Sequence, residues 1–108
     1  MKKTTLFFIH VSILLLSYHE LFSKTSAAVN SGKWQDKSSW AGGLVPQCGD
    51  TVIIGAGMNI EASSIIDFST CGSAMQLIIT GTLNFADGNK LKLPCESKVS
   101  VKDGGLIS

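Results

Sequence analysis

The sequence predicts an all-β chain, a right-handed parallel β-helix of about three single-stranded rungs behind an N-terminal cap. Three observations predict it. Val52-Ile53-Ile54-Gly55-Ala56-Gly57-Met58-Asn59-Ile60 matches Leu77-Ile78-Ile79-Thr80-Gly81-Thr82-Leu83-Asn84-Phe85 at an offset of 25, and self-similarity at such a period marks a repeat architecture. Apolar residues alternate inside each copy, which gives each strand one apolar face. Glycines and Asp-Gly pairs separate the alternating runs, as corners require. A small antiparallel β-sandwich is the competing arrangement, but the repeat spans whole strand-turn-strand units.

Taken in order, residues 1–28 have the make-up of an export signal. Lys2 and Lys3 give a basic start, Leu6 to Leu16 an apolar core, and Thr25-Ser26-Ala27-Ala28 a small-residue zone for cleavage after Ala27 or Ala28. The apolar core falls short of the roughly 20 residues of a membrane-spanning helix, so no span is expected once the signal is removed. Residues 29–50 form the cap segment, in which Trp34, Trp40, Pro46, Gly49 and Asp50 are cap and turn residues.

Residues 51–108 form the rungs. Val52, Ile54, Met58 and Ile60 share one parity, as do Leu77, Ile79, Leu83 and Phe85, and then Leu91, Leu93, Val99 and Val101. Leu77 and Ile79 fall on Val99 and Val101 at an offset of 22, whereas Gly81-Thr82-Leu83 falls on Gly104-Gly105-Leu106 at 23, which implies one inserted residue. Gly81, Gly104 and Gly105 are the corner residues of these steps. No polar capping sequence follows Gly104-Gly105-Leu106-Ile107-Ser108, so the expectation is the N-terminal part of a longer solenoid.

Composition narrows the function. His10, His19 and Tyr18 lie in the signal, and the chain has no arginine. From Val29 onward six lysines face seven acids, a formal charge of −1, which offers no basic patch to nucleic acid or anionic lipid. About 80 residues remain, a single small domain that needs staples.

Cys48, Cys71 and Cys95 supply them, spaced by 23 and 24 residues. One period apart places residues on adjacent rungs about 4.8 Å apart, within disulfide reach. Cys71 can therefore pair with either neighbour, and the third thiol is left to a partner outside the chain. No histidine remains to activate a thiol, and the spacing lacks the close cysteine pairs of a zinc site. Asp50, Asp67, Asp87 and Asp103 lack the dense Asp-x-Asp ladder of a calcium loop; Asp50, Asp87 and Asp103 neighbour glycines at corners, which suits turn formation. The expectation is no metal and no cofactor. Trp34 and Trp40 have two readings: aromatic platforms for a sugar ring, or a lid over the open end of the first rung.

The run Trp34 … Trp40-x-Gly-Gly-x-x-Pro46-x-x-Gly49-Asp50-x-Val52-x-Ile54, with Gly81-Thr82-Leu83-x-Phe85 and the Gly104-Gly105-Leu106 step, resembles the eight-glycine domain that opens secreted right-handed β-helix proteins. Leu91-Lys92-Leu93-Pro94-Cys95 and the three cysteines resemble its version in large secreted proteins of Bacteroidetes-type bacteria. The resemblance implies a secreted or cell-surface location and extracellular ligand binding, with no agreed catalytic set to carry over. Two functions are expected from these readings. One is a non-catalytic β-helix module for adhesion or extracellular glycan binding, its partner a polysaccharide or another surface protein. The other is the N-terminal fragment of a polysaccharide-active lyase or hydrolase whose catalytic rungs lie elsewhere.

Overall fold

The computed structural model describes residues 24–108; the proposed export signal lies outside the described residues as far as residue 23. Ten short strands follow one another: β1 (Thr25–Ala27), β2 (Gly32–Lys33), β3 (Thr51–Ile54), β4 (Asn59–Ala62), β5 (Ile66–Asp67), β6 (Gln76–Ile79), β7 (Thr82–Phe85), β8 (Leu91–Lys92), β9 (Lys98–Val101) and β10 (Leu106–Ile107). All pairings between them are parallel. They build one sheet in the order β1-β3-β6-β9, a second in the order β10-β7-β4-β2, and a third of β5 and β8. Each strand's sheet neighbour comes from the adjacent coil, so the chain is a β-solenoid of about three turns rather than an antiparallel sandwich.

Stacking explains why the alternation has to be so regular. Val52 lies on Leu77 and Ile54 on Ile79 in the first sheet, Ile60 on Leu83 in the second, and all six are at most 1% exposed. Burying an aliphatic side chain of this size contributes roughly 1.5–3 kcal/mol, against about 0.2–1 kcal/mol for an exposed cross-strand pair. The inward columns therefore fix the register. Ala62, Ile66 and Met75 complete the core, with Met58, Phe85, Leu91 and Leu93 partly buried against it.

The structure corrects the repeat in two places. The 25-residue offset holds for β3 on β6, but β4 stacks on β7 at 23, with Ile60 rather than Met58 over Leu83. Four residues, 55–58, turn the corner from β3 to β4, where two, Thr80 and Gly81, suffice from β6 to β7. A shift of two keeps every side chain on its face, so the 25-residue match and the 23-residue stacking share one parity. In the last coil Leu106 stacks on Thr82 and Ile107 on Leu83. Two residues, not one, are thus inserted there, and Ile107 instead of Leu106 takes the inward place.

The first coil is more than a cap. β1 pairs with β3 and β2 with β4, so Thr25–Ala27, the small-residue zone of the proposed signal, forms the first strand of the solenoid. Within residues 29–50, two single-turn 3-10 helices, Lys37–Ser39 and Ala41–Gly43, follow β2. At the far end Val99, Val101, Leu106 and Ile107 stay 42–53% exposed. Cys48 and Cys71 form a disulfide across a Cα separation of 5.6 Å, and Cys95 is a free, exposed thiol.

Candidate functional site

The tryptophans close the first coil from inside. Trp34 is 2% and Trp40 1% exposed, their rings meeting edge-to-face with centroids 5.3 Å apart. The Trp40 indole N–H donates to the Trp34 carbonyl at 2.7 Å, and the Trp34 amide donates to the Glu61 carbonyl of the next coil at 2.8 Å. Trp40 also bridges antiparallel to Ala28. Neither ring has a face free to stack on a sugar, so the platform reading of Trp34 and Trp40 gives way to their burial.

The remaining cap and turn residues are structural by position. Pro46 is buried, and Gly49 takes φ +81° beside the disulfide. Asp50, 2% exposed, is the hub of the first coil. Its carboxylate accepts the amide of Gln47 at 2.7 Å, the amide of Lys24 at 3.2 Å and the Ser26 hydroxyl at 3.4 Å, and it pairs with the Lys24 ammonium. Such a carboxylate is neutralised and hydrogen-bonded in place, as burial demands.

Of the other aspartates weighed in the sequence, Asp67 ends β5, and Asp87 and Asp103 stay at corners. Asp67 accepts the Ser69 hydroxyl at 2.5 Å and the Ser69 amide at 2.8 Å. These two bonds, with a smaller contribution from the Lys92 charge, hold its carboxyl below the ordinary aspartate value. Asp87-Gly88 and Asp103-Gly104 form exposed turns. Among the described residues no three of His, Cys, Asp and Glu gather into a group that could hold a metal ion.

The polar half of the alternation makes a surface. With Ile60 and Leu83 turned inward, Asn59, Glu61, Thr82 and Asn84 must face out from the second sheet. Lys33 of β2 lies in register with Glu61, which lies in register with Asn84. Beside this column the Ser31 hydroxyl accepts the Asn59 amide at 2.9 Å, and the Asn84 side-chain amide donates to the Asn59 side-chain oxygen. Ser31, Gly32, Lys33, Asn59, Glu61 and Asn84 line an open depression of about 300 Å³.

No protein-family model, curated protein or solved structure matches the chain. What the depression can do follows from its own side chains. Its walls offer hydroxyl and amide groups that both donate and accept, with one ammonium, Lys33, and one carboxylate, Glu61. That set suits neutral polyhydroxylated ligands. None of these six residues stands out in the sequence, whose strongest pattern is the apolar parity of the core. The signal was the complementary parity, Asn59-Glu61 and Thr82-Asn84, read for its outward chemistry.

Proposed function

We propose that the chain is a non-catalytic extracellular module that lays the polar face of its second sheet along a neutral glycan. The reading is supported chiefly by the arrangement of Lys33, Glu61 and Asn84 in one column across three coils, with Ser31 and Asn59 beside it. Coils stacked about 4.8 Å apart repeat the hydrogen-bonding groups at an interval comparable to one sugar unit of a linear chain. A shallow, open surface of this kind gives weak binding per coil and gains by extension, which is the behaviour of an adhesion module.

Affinity electrophoresis in gels containing neutral or uronic-acid polysaccharides tests the reading. Wild type is expected to be retarded by a neutral glycan, and the Asn59→Ala/Asn84→Ala double variant to migrate freely with an unchanged circular dichroism spectrum. Retardation that survives the double substitution would move the site elsewhere. Turnover of any polysaccharide would replace the module with an enzyme. A second reading, the opening coils of a longer polysaccharide-active solenoid, draws support from Val99, Val101, Leu106 and Ile107, whose exposed side chains a further coil would cover.

A further inference from the structure

The first sheet carries a depression of its own, on a face separate from the column of Lys33, Glu61 and Asn84. Thr51, Gln76 and Lys98 lie in register on three successive coils, and with Val52 and Leu77 buried they face out. Together with Gly49, Ala74 and Glu96 they border an open hollow of about 290 Å³, near the lower end of the volumes that hold small molecules. Glu96 sets this hollow apart from an ordinary groove. Its φ of +67° makes it the one non-glycine residue with a left-handed backbone among the described residues, a conformation that L side chains adopt reluctantly. Glu96 stands third in the turn Pro94-Cys95-Glu96-Ser97, closed by the Ser97 amide donating to the Pro94 carbonyl at 3.3 Å. The first coil makes the corresponding turn with Gln47-Cys48-Gly49-Asp50, closed at 3.2 Å, and glycine holds the third place there with φ +81°. The turn itself therefore needs no carboxylate, and a side chain kept in so unfavourable a conformation points to use. Its place is also fixed: the Ser97 hydroxyl accepts the Met75 amide at 2.9 Å, and the Lys98 amide donates to the Met75 carbonyl at 3.0 Å.

We propose that this hollow binds a free α-amino acid, its ammonium on Glu96 and its carboxylate on Lys98. Both side chains are exposed, and the pair of Lys24 with Asp50 is the one salt bridge among the described residues. Glu96 and Lys98 thus present opposite charges to one hollow without pairing with each other. A ligand of single charge meets one attractive and one repulsive group there, whereas a zwitterion meets two attractive ones. The Gln76 side-chain amide and the Thr51 hydroxyl, next in the column from Lys98, add hydrogen-bond donors for the same carboxylate.

Titration of the isotope-labelled full chain with L-alanine, followed by amide NMR, tests the site. Saturable shifts are expected at Gln76 and Lys98. N-acetyl-L-alanine, which lacks the ammonium, and L-alanine amide, which lacks the carboxylate, should each bind roughly tenfold more weakly or worse, as the loss of one charged hydrogen bond implies. Glu96→Gly should weaken alanine by a similar factor while melting at or above the wild-type temperature, because glycine suits the left-handed position. Glu96→Gln, which keeps the side chain's size, should lose binding with no gain in melting temperature. The Asn59→Ala/Asn84→Ala variant should bind alanine as wild type does, which separates this site from the glycan face. No saturable shift, equal binding of the blocked compounds, or wild-type affinity in Glu96→Gly or Glu96→Gln overturns the proposal. So does a Glu96→Gly chain that melts below wild type, since Glu96 would then serve the fold, and so does loss of alanine binding in the Asn59→Ala/Asn84→Ala variant, which would place the ligand on the second sheet.

Discussion

Gly81 shows how little room a corner leaves. A methyl group there would stand 2.3 Å from the Gly55 carbonyl oxygen and 2.4 Å from that of Met58, both backbone atoms of the coil below. Gly81→Ala must push two coils apart, and a loss of about 3 kcal/mol or more is expected. Gly88 has φ +75° but open space around it, so Gly88→Ala should cost only the left-handed backbone penalty, about 1–2 kcal/mol. Urea unfolding separates the two; equal losses would refute the close-stacking account. Asp67 offers a second residue-level test. Since the Ser69 hydroxyl is the largest cause of its lowered pKa, Ser69→Ala should raise the titration midpoint of the Asp67 carboxyl carbon, measured by NMR, toward the ordinary aspartate value. The folded value is the depressed one, so the stabilisation from this turn is present above the ordinary value and is lost as pH falls through the folded value. A midpoint unmoved by the substitution would mean that the amide bond alone holds the carboxylate.

Among the elements, the corner from β3 to β4 carries the sharpest expectation. Deleting Ala56 and Gly57 together leaves a corner as short as that from β6 to β7 and keeps Ile60 and Ala62 inward. Deleting Ala56 alone turns Asn59 and Glu61 into the core, where an unpaired carboxylate is strongly disfavoured. The single deletion is therefore expected to melt at a lower temperature than the double one, and the reverse order would overturn the register assignment. The same corner shows what was legible in the sequence. Parity was, because Val52, Ile54, Met58 and Ile60 repeat the parity of Leu77, Ile79, Leu83 and Phe85, whereas the opposite parity is apolar only at Ile53 and Ile78 in β3 and β6. Corner length was not, because a two-residue slip preserves parity and Gly55-Ala56-Gly57 resembles Thr80-Gly81-Thr82 closely enough to align. In the last coil the slip was by one, and only the stacking of Ile107 on Leu83 reveals it. β1 was hidden for another reason: Thr25-Ser26-Ala27 has no apolar alternation, and Ser26 is buried through Asp50 and the Leu44 carbonyl rather than through an apolar side chain. The polar face of the candidate site was written in the sequence but could not be gathered into one surface until the coil register was known.

For the whole molecule, stability in a stacked solenoid is close to a sum of coils and their interfaces. The first coil is closed by Trp34 and Trp40, while the last presents Val99, Val101, Leu106 and Ile107 beside the outer edges of β9 and β10. Exposed apolar edges of parallel strands recruit other strands. Concentration-dependent association is expected in sedimentation velocity, and the Val101→Lys/Ile107→Lys variant should sediment as a monomer over the same range. Association that persists in the variant would place the sticky surface elsewhere. The disulfide adds a mechanical property to this stack. Cys48 and Cys71, 23 residues apart, convert one full turn into a covalent ring, so tension applied to the two ends of the chain is shunted through sulfur and never reaches β3, β4 or β5. At about 3.3–3.6 Å per extended residue, reduction would release roughly 80 Å of hidden length. A solenoid built this way stretches in two stages, and the second is available only where the surroundings turn reducing.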